Sequence, residues 1–525
     1  MFKFGSKTTP ADDSEKIKNF RKLGNKEAYQ LALHTLDRHR NKSIICRYTT
    51  PQSYLSYPNR LIRIVETAII EVLLLHPILQ AGIIDIDSKS PGWKQLQHLS
   101  LDEHLTWRFL QTPEDFDDVS RELTISEIDS KFPETKERPG WRIVALYQER
   151  VNLLEVHFTW NQAYGDGISG RIFQEDLFRR LNTPTEFENI EDNTTTSSVI
   201  PFPPTPNLPP SIEELYKLPL RLPFLAKSLW QTFTPAATSR KKLTLAHWAP
   251  IHLNPYSTQH HSFSISKTTL SNIHLACRKK KSTLVSLLHA LMAISLASQL
   301  DENTASAFQS CTTLDMRQFM SSISSTSKYS GLNVERIMGN YEKSISHDFD
   351  RRLVAQLRNK LPGDGNQDLL LSPGQLRQIW GIGAGVRGEI ERDIKRGLKN
   401  DSMEAMKFIG NWRQRIKNAS KRPSRFSWLI TDAGILDGPP KTDNETLSAK
   451  AALEEGNAWI LHRAGFASSA ETTGAAFMIS LVSVNGAGLF VGVSWQGCVI
   501  DVEVGERVAV DLKKWLEQIA EEAYP

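Results

Sequence analysis

Length and composition describe an ordinary globular chain that is too long for a single hydrophobic core. It has 525 residues, 40% of them hydrophobic, and 63 Lys and Arg against 59 Asp and Glu leave a formal net charge of +4. A chain of this length predicts two lobes of ordinary size. The near balance of charges, without a basic stripe interleaved with aromatic residues, argues against a nucleic-acid partner.

The cysteines and the first residues bear on the cellular compartment. Cys46, Cys277, Cys311 and Cys498 lie far apart and form no C-x-x-C pair, so the sequence predicts neither a disulfide framework nor a metal site. The opening stretch, MFKFGSKTTPADDSEK, lacks the apolar core of a signal peptide or a spanning helix. We therefore expect a cytoplasmic protein.

Two strands and a helix surround the most informative turn of the N-terminal part. WRIVALY, which begins at Trp141, and the alternating stretch 151–160 predict a β-hairpin. Residues 165–167, Gly-Asp-Gly, have turn composition, and helical spacing then continues to Leu181. A strand that delivers polar side chains to a glycine turn before a helix commonly places functional residues at the mouth of a cleft.

The composition changes abruptly between residues 182 and 242, where the run PFPPTPNLPP lies. Such a spacer predicts a crossover linker between an N-terminal lobe, 1–181, and a C-terminal lobe, 243–525. Within it, residues 215–233 are rich in Leu, Phe and Trp with interspersed Lys and Arg, a composition compatible with weak contact to a membrane surface. Packing of this segment across the two lobes is the alternative that its internal prolines favour.

The C-terminal part contains strands on either side of a helical insertion. SCTTLDMR, which ends at Arg317, and FSWLITDAG, 426–434, predict strands, and the turn NGAG predicts a hairpin near the C-terminus. Residues 349–417 predict a mostly helical insertion. Inside it GAGVRG, 383–388, matches the phosphate-binding pattern G-x-G-x-x-G, but no strand precedes it, so we expect a break between two helices there.

The polar turn carries a family resemblance. NQAYGDG, residues 161–167, resembles the HHxxxDG motif of the CoA-dependent acyltransferase superfamily, with Asp166 and Gly167 at the two final positions. LGNKEAYQLALHTL, LLLHPILQAGI and the paired strands at the C-terminus are similar to segments of the fungal alcohol acetyltransferases within that superfamily. The resemblance makes Arg317 the expected structural partner of Asp166.

The resemblance also implies a fold and a reaction. The fold is an α/β, chloramphenicol-acetyltransferase-like arrangement of two similar lobes, each a mixed β-sheet backed by helices, with a tunnel at their interface. Acyl-CoA is the implied co-substrate, and a small-molecule alcohol or amine is the implied acceptor. The acceptor attacks the thioester directly, so neither a metal nor a bound cofactor is expected, and we expect a monomer. Trp160, Thr431 and Asp432 are the expected substrate contacts.

The chain differs from the family motif at the two positions where the family has histidines. The second His of the family motif is the general base, and Gln162 stands there, with Asn161 in place of the first His. An amide has no basicity near neutral pH, and loss of a positioned base typically costs ~100- to 10,000-fold in rate. His157 should face away from Gln162 because strand side chains alternate, and we expect structural or surface roles for the pair at 260–261.

Three hypotheses follow from this departure. The first is an acyl-CoA-dependent O- or N-acyltransferase of fungal specialised metabolism, in which Gln162 and Asn161 orient the acceptor and water or the substrate carries the proton. The second is an enzyme that reuses the tunnel to shape a polyketide-like substrate for cyclisation. The third is a catalytically degenerate binding protein. An assay for release of free CoA discriminates the first from the other two.

Overall fold

β-Strands and α-helices are interspersed along the chain. The computed structural model describes residues 20–54, 58–110, 116–183, 198–203, 208–215, 244–320, 332–359, 370–397, 406–421, 423–436 and 458–523. Its strands are β1 (Phe20–Lys22), β2 (Asn41–Thr49), β3 (Ala81–Ile84), β4 (Gly92–Gln95), β5 (His98–Ser100), β6 (Leu105–Phe109), β7 (Trp141–Gln148), β8 (Leu153–Asn161), β9 (Val199–Pro201), β10 (Thr258–Ser266), β11 (Phe308–Asp315), β12 (Glu342–Phe349), β13 (Phe426–Leu436), β14 (Ile460–Ser468), β15 (Ala475–Val484) and β16 (Gly488–Gln496). Its helices are α1 (Asn25–Thr35), α2 (Pro58–Leu75), α3 (Phe116–Asp129), α4 (Gly167–Leu181), α5 (Ile212–Leu215), α6 (Lys267–Lys279), α7 (Leu284–Gln299), α8 (Arg351–Arg358), α9 (Pro373–Arg396), α10 (Trp412–Ala419) and α11 (Val502–Ala523).

The first lobe is built on a five-stranded sheet with the order β14-β2-β8-β7-β6. β7 and β8 form the predicted antiparallel hairpin, in which Trp141 pairs with Trp160, whereas β6 and β7 run parallel. Helix α4 packs against this sheet and against α2. The alternating apolar side chains of β8, including Val156 and Phe158, are buried between the sheet and these helices.

The second lobe is built on a six-stranded mixed sheet with the order β10-β16-β15-β13-β11-β12. Helix α7 is apolar on nearly all sides, which predicts full burial, and its residues from Ser286 to Ala297 are all buried. It packs against α9 and α11. The structure therefore confirms the predicted α/β class, with a mixed sheet backed by helices in each lobe.

The C-terminal part of the chain contributes a strand to the first sheet, which the predicted lobe boundaries did not include. Strand β14 lies within 243–525, yet it pairs antiparallel with β2 in the first sheet, for example Ala464 with Cys46. Strand β14 covers the edge of β2, whose backbone groups would otherwise lack partners. Within the predicted linker 182–242, β9 pairs with β5 of the N-terminal part. Most of that linker, including 216–233 of the suggested membrane-contact segment, lies outside the described residues.

The insertion at 349–417 contains α8, α9 and α10, but the predicted break at GAGVRG is wrong. Helix α9 runs without interruption through 383–388. A β-carbon at Gly383 would lie 2.6 Å from the Ser282 hydroxyl, so the absence of a side chain there lets α9 approach the start of α7. Gly383 serves helix packing in a continuous helix, so the phosphate-binding pattern does not mark a turn here.

No single helix in the described part of the chain is long and apolar enough to cross a membrane. Helices α6 and α7 meet the length and composition requirement only when taken together, and they are bent by 90° relative to each other.

A pair of helical glycines tests the packing of the second lobe. A β-carbon at Gly505 in α11 would overlap the indole of Trp495, whereas nothing lies within 4 Å of the corresponding position at Gly385 in α9. We expect Gly505→Ala to lower the free energy of unfolding by ~1–3 kcal/mol because the core must shift. Gly385→Ala should raise it by up to ~1 kcal/mol because alanine favours a helix. Thermal and urea unfolding measure both, and equal effects would contradict the packing described.

Candidate active site at the lobe interface

The predicted strand, turn and helix around the polar motif are present. β8 ends at Asn161 and α4 begins at Gly167, with Asp166 as its N-cap. The Asp166 carboxylate accepts hydrogen bonds from the backbone N–H and the hydroxyl of Ser169, at 2.9 and 3.0 Å. A carboxylate at this place satisfies a free helix N–H and is favoured by the helix dipole. A β-carbon at Gly167 would lie 2.9 Å from the Phe466 ring, so the close approach of β14 requires a small residue there.

The ion pair expected between Asp166 and Arg317 is present and joins the two lobes. The guanidinium donates to both carboxylate oxygens, at 2.9 and 3.0 Å, and the side chains are only 1% and 2% exposed. Burial alone would raise the pKa of Asp166, but the charge and hydrogen bonds of Arg317 outweigh this, and the pKa lies below its usual value. Arg317 also donates to Asp315 at 2.8 Å, so it is neutralised from both sides.

A segment of the second lobe, 339–342, closes on the motif turn. The carbonyl of Gly339 accepts from the backbone N–H of Asp166 at 3.1 Å. The Asn340 side-chain amide donates to the backbone carbonyls of Gln162 and Ala163, at 2.7 and 2.9 Å. The backbone N–H of Tyr341 donates to Asp166 Oδ2 at 2.9 Å. Both lobes therefore hold the turn in one conformation. No periodic pattern in the sequence singles out this segment, and our sequence analysis missed it.

Gln162 lies in the interface between the lobes, as expected for the position of the family base. Its side-chain amide nitrogen donates to Glu342 Oε1 at 3.1 Å, and Lys26 Nζ lies 3.6 Å from that same oxygen. Gln162 is 6% exposed, so it is more accessible than Asp166. Among the described residues, no donor reaches Gln162 Oε1. This oxygen is therefore available to accept a hydrogen bond from an acceptor hydroxyl or amine.

Asn161 and Trp160 occupy positions that support the turn. Asn161 is fully buried, and its side-chain oxygen accepts from the backbone N–H of Ala163 at 2.9 Å. Trp160 is 1% exposed, and its indole N–H donates to the carbonyl of Gly165 at 2.8 Å. These contacts give both side chains a structural role. The catalytic role of Asn161 and the substrate contact of Trp160 stay predictions.

The other two predicted substrate contacts lie on β13. Thr431 is buried and accepts a hydrogen bond from the hydroxyl of Thr313 on β11, at 3.1 Å. Asp432 is solvent-exposed and accepts from the backbone N–H of Gly434 at 2.8 Å, which shapes the bulge in this strand. No described hydrogen bond joins either residue to Gln162, and their contact with a substrate stays a prediction.

The histidines near the interface are engaged elsewhere. His157 is fully buried and lies 2.9 Å from Glu155 Oε1. His260 is hydrogen-bonded to the hydroxyl of Ser494 at 2.9 Å, and burial together with the neighbouring His261 lowers its pKa to about 4. His261 lies 3.3 Å from Glu506 at the surface. None of these contacts involves Gln162.

A cavity of about 240 Å³ lies between the two sheets, beside α3. Residues of both lobes line the cavity, among them Ile45, Ser120, Glu155, His260, Gly465 and Phe490. The part of the chain that the structure describes contains no group of three or more His, Cys, Asp and Glu side chains placed to hold a metal ion. The cavity is bordered by polar and aromatic groups, and none of its lining residues belongs to the motif turn.

The charge of Asp166 should be essential for stability. Asp166→Asn keeps an N-cap but leaves Arg317 buried beside an amide, so we expect a loss of ~3–5 kcal/mol in the free energy of unfolding. The control is Glu302→Gln, which breaks the exposed pair of Glu302 with Arg351 and should change stability by at most ~1 kcal/mol. Thermal unfolding measures both variants. A melting temperature of Asp166→Asn equal to that of the wild type would contradict the structural role of the pair.

Comparison with known proteins finds similarity to the alcohol acetyltransferases. The alcohol acetyltransferase family model matches residues 94–350. FCK4, a probable alcohol acetyltransferase of Fusarium pseudograminearum, is 22% identical over 511 residues, which cover 94% of each chain. crmB, a probable alcohol acetyltransferase of Aspergillus fumigatus, is 23% identical over 390 residues, which cover 72% of each chain.

A solved structure supports the same assignment at the level of the fold. TRI3, a trichothecene 15-O-acetyltransferase of Fusarium sporotrichioides, superposes with a TM-score of 0.67 at 13% identity and covers 95% of each chain. This likeness extends over both lobes, and at so low an identity it speaks for the fold alone. Together with the family model and the two fungal relatives, it shows that the chain is similar to the alcohol acetyltransferases of the CoA-dependent acyltransferase superfamily.

Proposed function

We propose that the protein transfers an acyl group from acyl-CoA to a hydroxyl or amino group of a small molecule of fungal specialised metabolism. The acceptor oxygen or nitrogen attacks the thioester carbonyl carbon, the C–S bond breaks, and the ester or amide and free CoA leave. The alcohol acetyltransferases among the relatives make acetyl-CoA and an alcohol the first pair to test. A cytoplasmic location remains part of the proposal.

The observation that carries the proposal is the rigid presentation of Gln162 at the lobe interface. Contacts from both lobes fix the backbone at this position, because the Asn340 side chain holds its carbonyl and the Asp166–Arg317 pair holds the turn. The amide nitrogen of Gln162 is engaged by Glu342, which leaves Oε1 free. A fixed acceptor oxygen can orient an incoming hydroxyl toward a thioester, and correct orientation alone contributes strongly to rate.

The site lacks the imidazole that the family uses, so part of the proposal concerns how the reaction proceeds without it. Gln162 can orient the acceptor but cannot remove its proton. A side chain able to take up a proton must therefore lie close by, or the rate must be low. Release of CoA distinguishes the acyltransferase from the cyclisation and binding hypotheses, because neither of those releases CoA.

Release of free CoA is the decisive measurement. We expect the purified protein to convert acetyl-CoA or a longer acyl-CoA to CoA in the presence of a matching alcohol or amine, with the acylated acceptor identified by mass spectrometry. Reactions without acceptor measure hydrolysis of the thioester, and reactions without protein measure its spontaneous loss. Release at the acceptor-free rate for every donor and acceptor pair, with folded protein, would overturn the proposal.

A further inference from the structure

A carboxylate and an ammonium group meet at Gln162. Glu342 Oε1 accepts from the Gln162 amide at 3.1 Å, and Lys26 Nζ lies 3.6 Å from the same oxygen. The three side chains come from different parts of the fold: Gln162 from the motif turn, Glu342 from the first residue of β12, and Lys26 from α1. Since a carboxylate only accepts hydrogen bonds, the amide must turn its nitrogen toward Glu342.

The position of Glu342 is fixed by the same contacts that fix the motif turn. Gly339, Asn340 and Tyr341, the three residues before it, each bond to the turn. Glu342 itself pairs with Asp315 in the register of β11 and β12. The carboxylate is thus held on rigid backbone one hydrogen bond away from the position of the family base, an arrangement suited to catalysis.

Exposure separates this group from the buried ion pair. Gln162, Glu342 and Lys26 are 6%, 7% and 9% exposed, whereas Asp166 and Arg317 are 1% and 2% exposed. Solvent-sized molecules therefore reach the first group but hardly the second. Among the described residues, no donor reaches Glu342 Oε2, so one carboxylate oxygen has room for a proton that comes from a substrate.

We propose that Glu342 is the general base of this site and replaces the missing imidazole. The proposal rests on the acyltransferase function proposed above. The hydroxyl oxygen of the acceptor forms a bond to the thioester carbon while its proton moves to Glu342. The C–S bond then breaks, and the proton passes from Glu342 to the departing sulfur. The products are an ester and CoA with a free thiol, and Glu342 is ionised again.

Gln162 and Lys26 are positioning residues in this scheme. The Gln162 amide orients one oxygen of Glu342, which leaves the other for the acceptor. Lys26 helps to hold the carboxylate in place by charge pairing, with its Nζ 3.6 Å from Oε1. Other titratable groups near this pair include Asp315, which pairs with Glu342 in the strand register, and Glu471, on which Lys26 acts. The buried thiol of Cys311 is also close, and burial raises its pKa to about 11.

The test compares Glu342→Gln with the same change at an exposed position. Glu342→Gln keeps the size of the side chain and its acceptor oxygen but removes the basic group. We expect kcat for CoA release to fall by ~100- to 10,000-fold with little change in KM. The control, Glu391→Gln on α9, removes only an exposed pair with Arg387 and should keep wild-type kinetics.

Rescue distinguishes a base from a structural carboxylate. In Gln162→His/Glu342→Gln the imidazole stands at the family position, so turnover should recover by ~10-fold or more. If Glu342→Gln alone is unstable because Lys26 is left without its partner, Lys26→Met/Glu342→Gln removes both charges. That variant should fold, show the same loss of kcat and respond to Gln162→His in the same way.

Each outcome decides one claim. If the wild type releases CoA and the kcat of Glu342→Gln lies within ~3-fold of the wild-type value, the role of Glu342 is overturned. The acyltransferase function then stands. Loss of activity that Gln162→His does not restore in a folded protein would make Glu342 structural, and would also overturn the inference. Absence of CoA release in the wild type would overturn the proposed function, and the inference with it.

Discussion

The buried pair of Asp166 and Arg317 is the interaction on which the site depends. Each partner comes from a different lobe, and both are almost completely removed from water, so the buried carboxylate of Asp166 depends on the charge of Arg317. The same carboxylate also caps α4 and accepts from the backbone of Tyr341. One side chain thereby fixes the start of a helix, the lobe interface and the segment that leads to β12.

This pair explains why the motif keeps its last two residues while its first two differ from the family. Asp166 and Gly167 meet packing requirements that do not depend on the reaction: charge pairing with Arg317 and close approach of the Phe466 ring. Asn161 and Gln162 face different requirements, because the Asn161 side-chain oxygen closes the turn by accepting from the Ala163 backbone N–H, whereas the Gln162 amide donates to Glu342 on β12. A motif can therefore retain its structural half when the chemistry of the other half has changed.

Local structure was predictable from the sequence, and long-range placement was not. The hairpin of β7 and β8, the turn and the start of α4 follow from alternation, glycine and a capping Asp, which act over a few residues. The partner Arg317 was reached through the family resemblance. The pairing of β14 with β2 and the contact of Glu342 with Lys26 join residues hundreds of positions apart, and no local pattern predicts them. Likewise, GAGVRG lies inside a continuous helix in which only Gly383 makes a close packing contact, so a glycine pattern alone does not predict a turn.

The arrangement at Gln162 shows what an amide can contribute where an imidazole is absent. An imidazole is both the hydrogen-bond partner of the acceptor and the group that takes its proton, whereas an amide can only be the partner. The proton acceptor must then be a second side chain, and it must be held as firmly as the first for orientation to be kept. Glu342 meets this condition because its neighbours in the chain are bonded to the motif turn itself. Glu342 lies one hydrogen bond from Gln162, so orientation of the acceptor and removal of its proton are divided between two side chains.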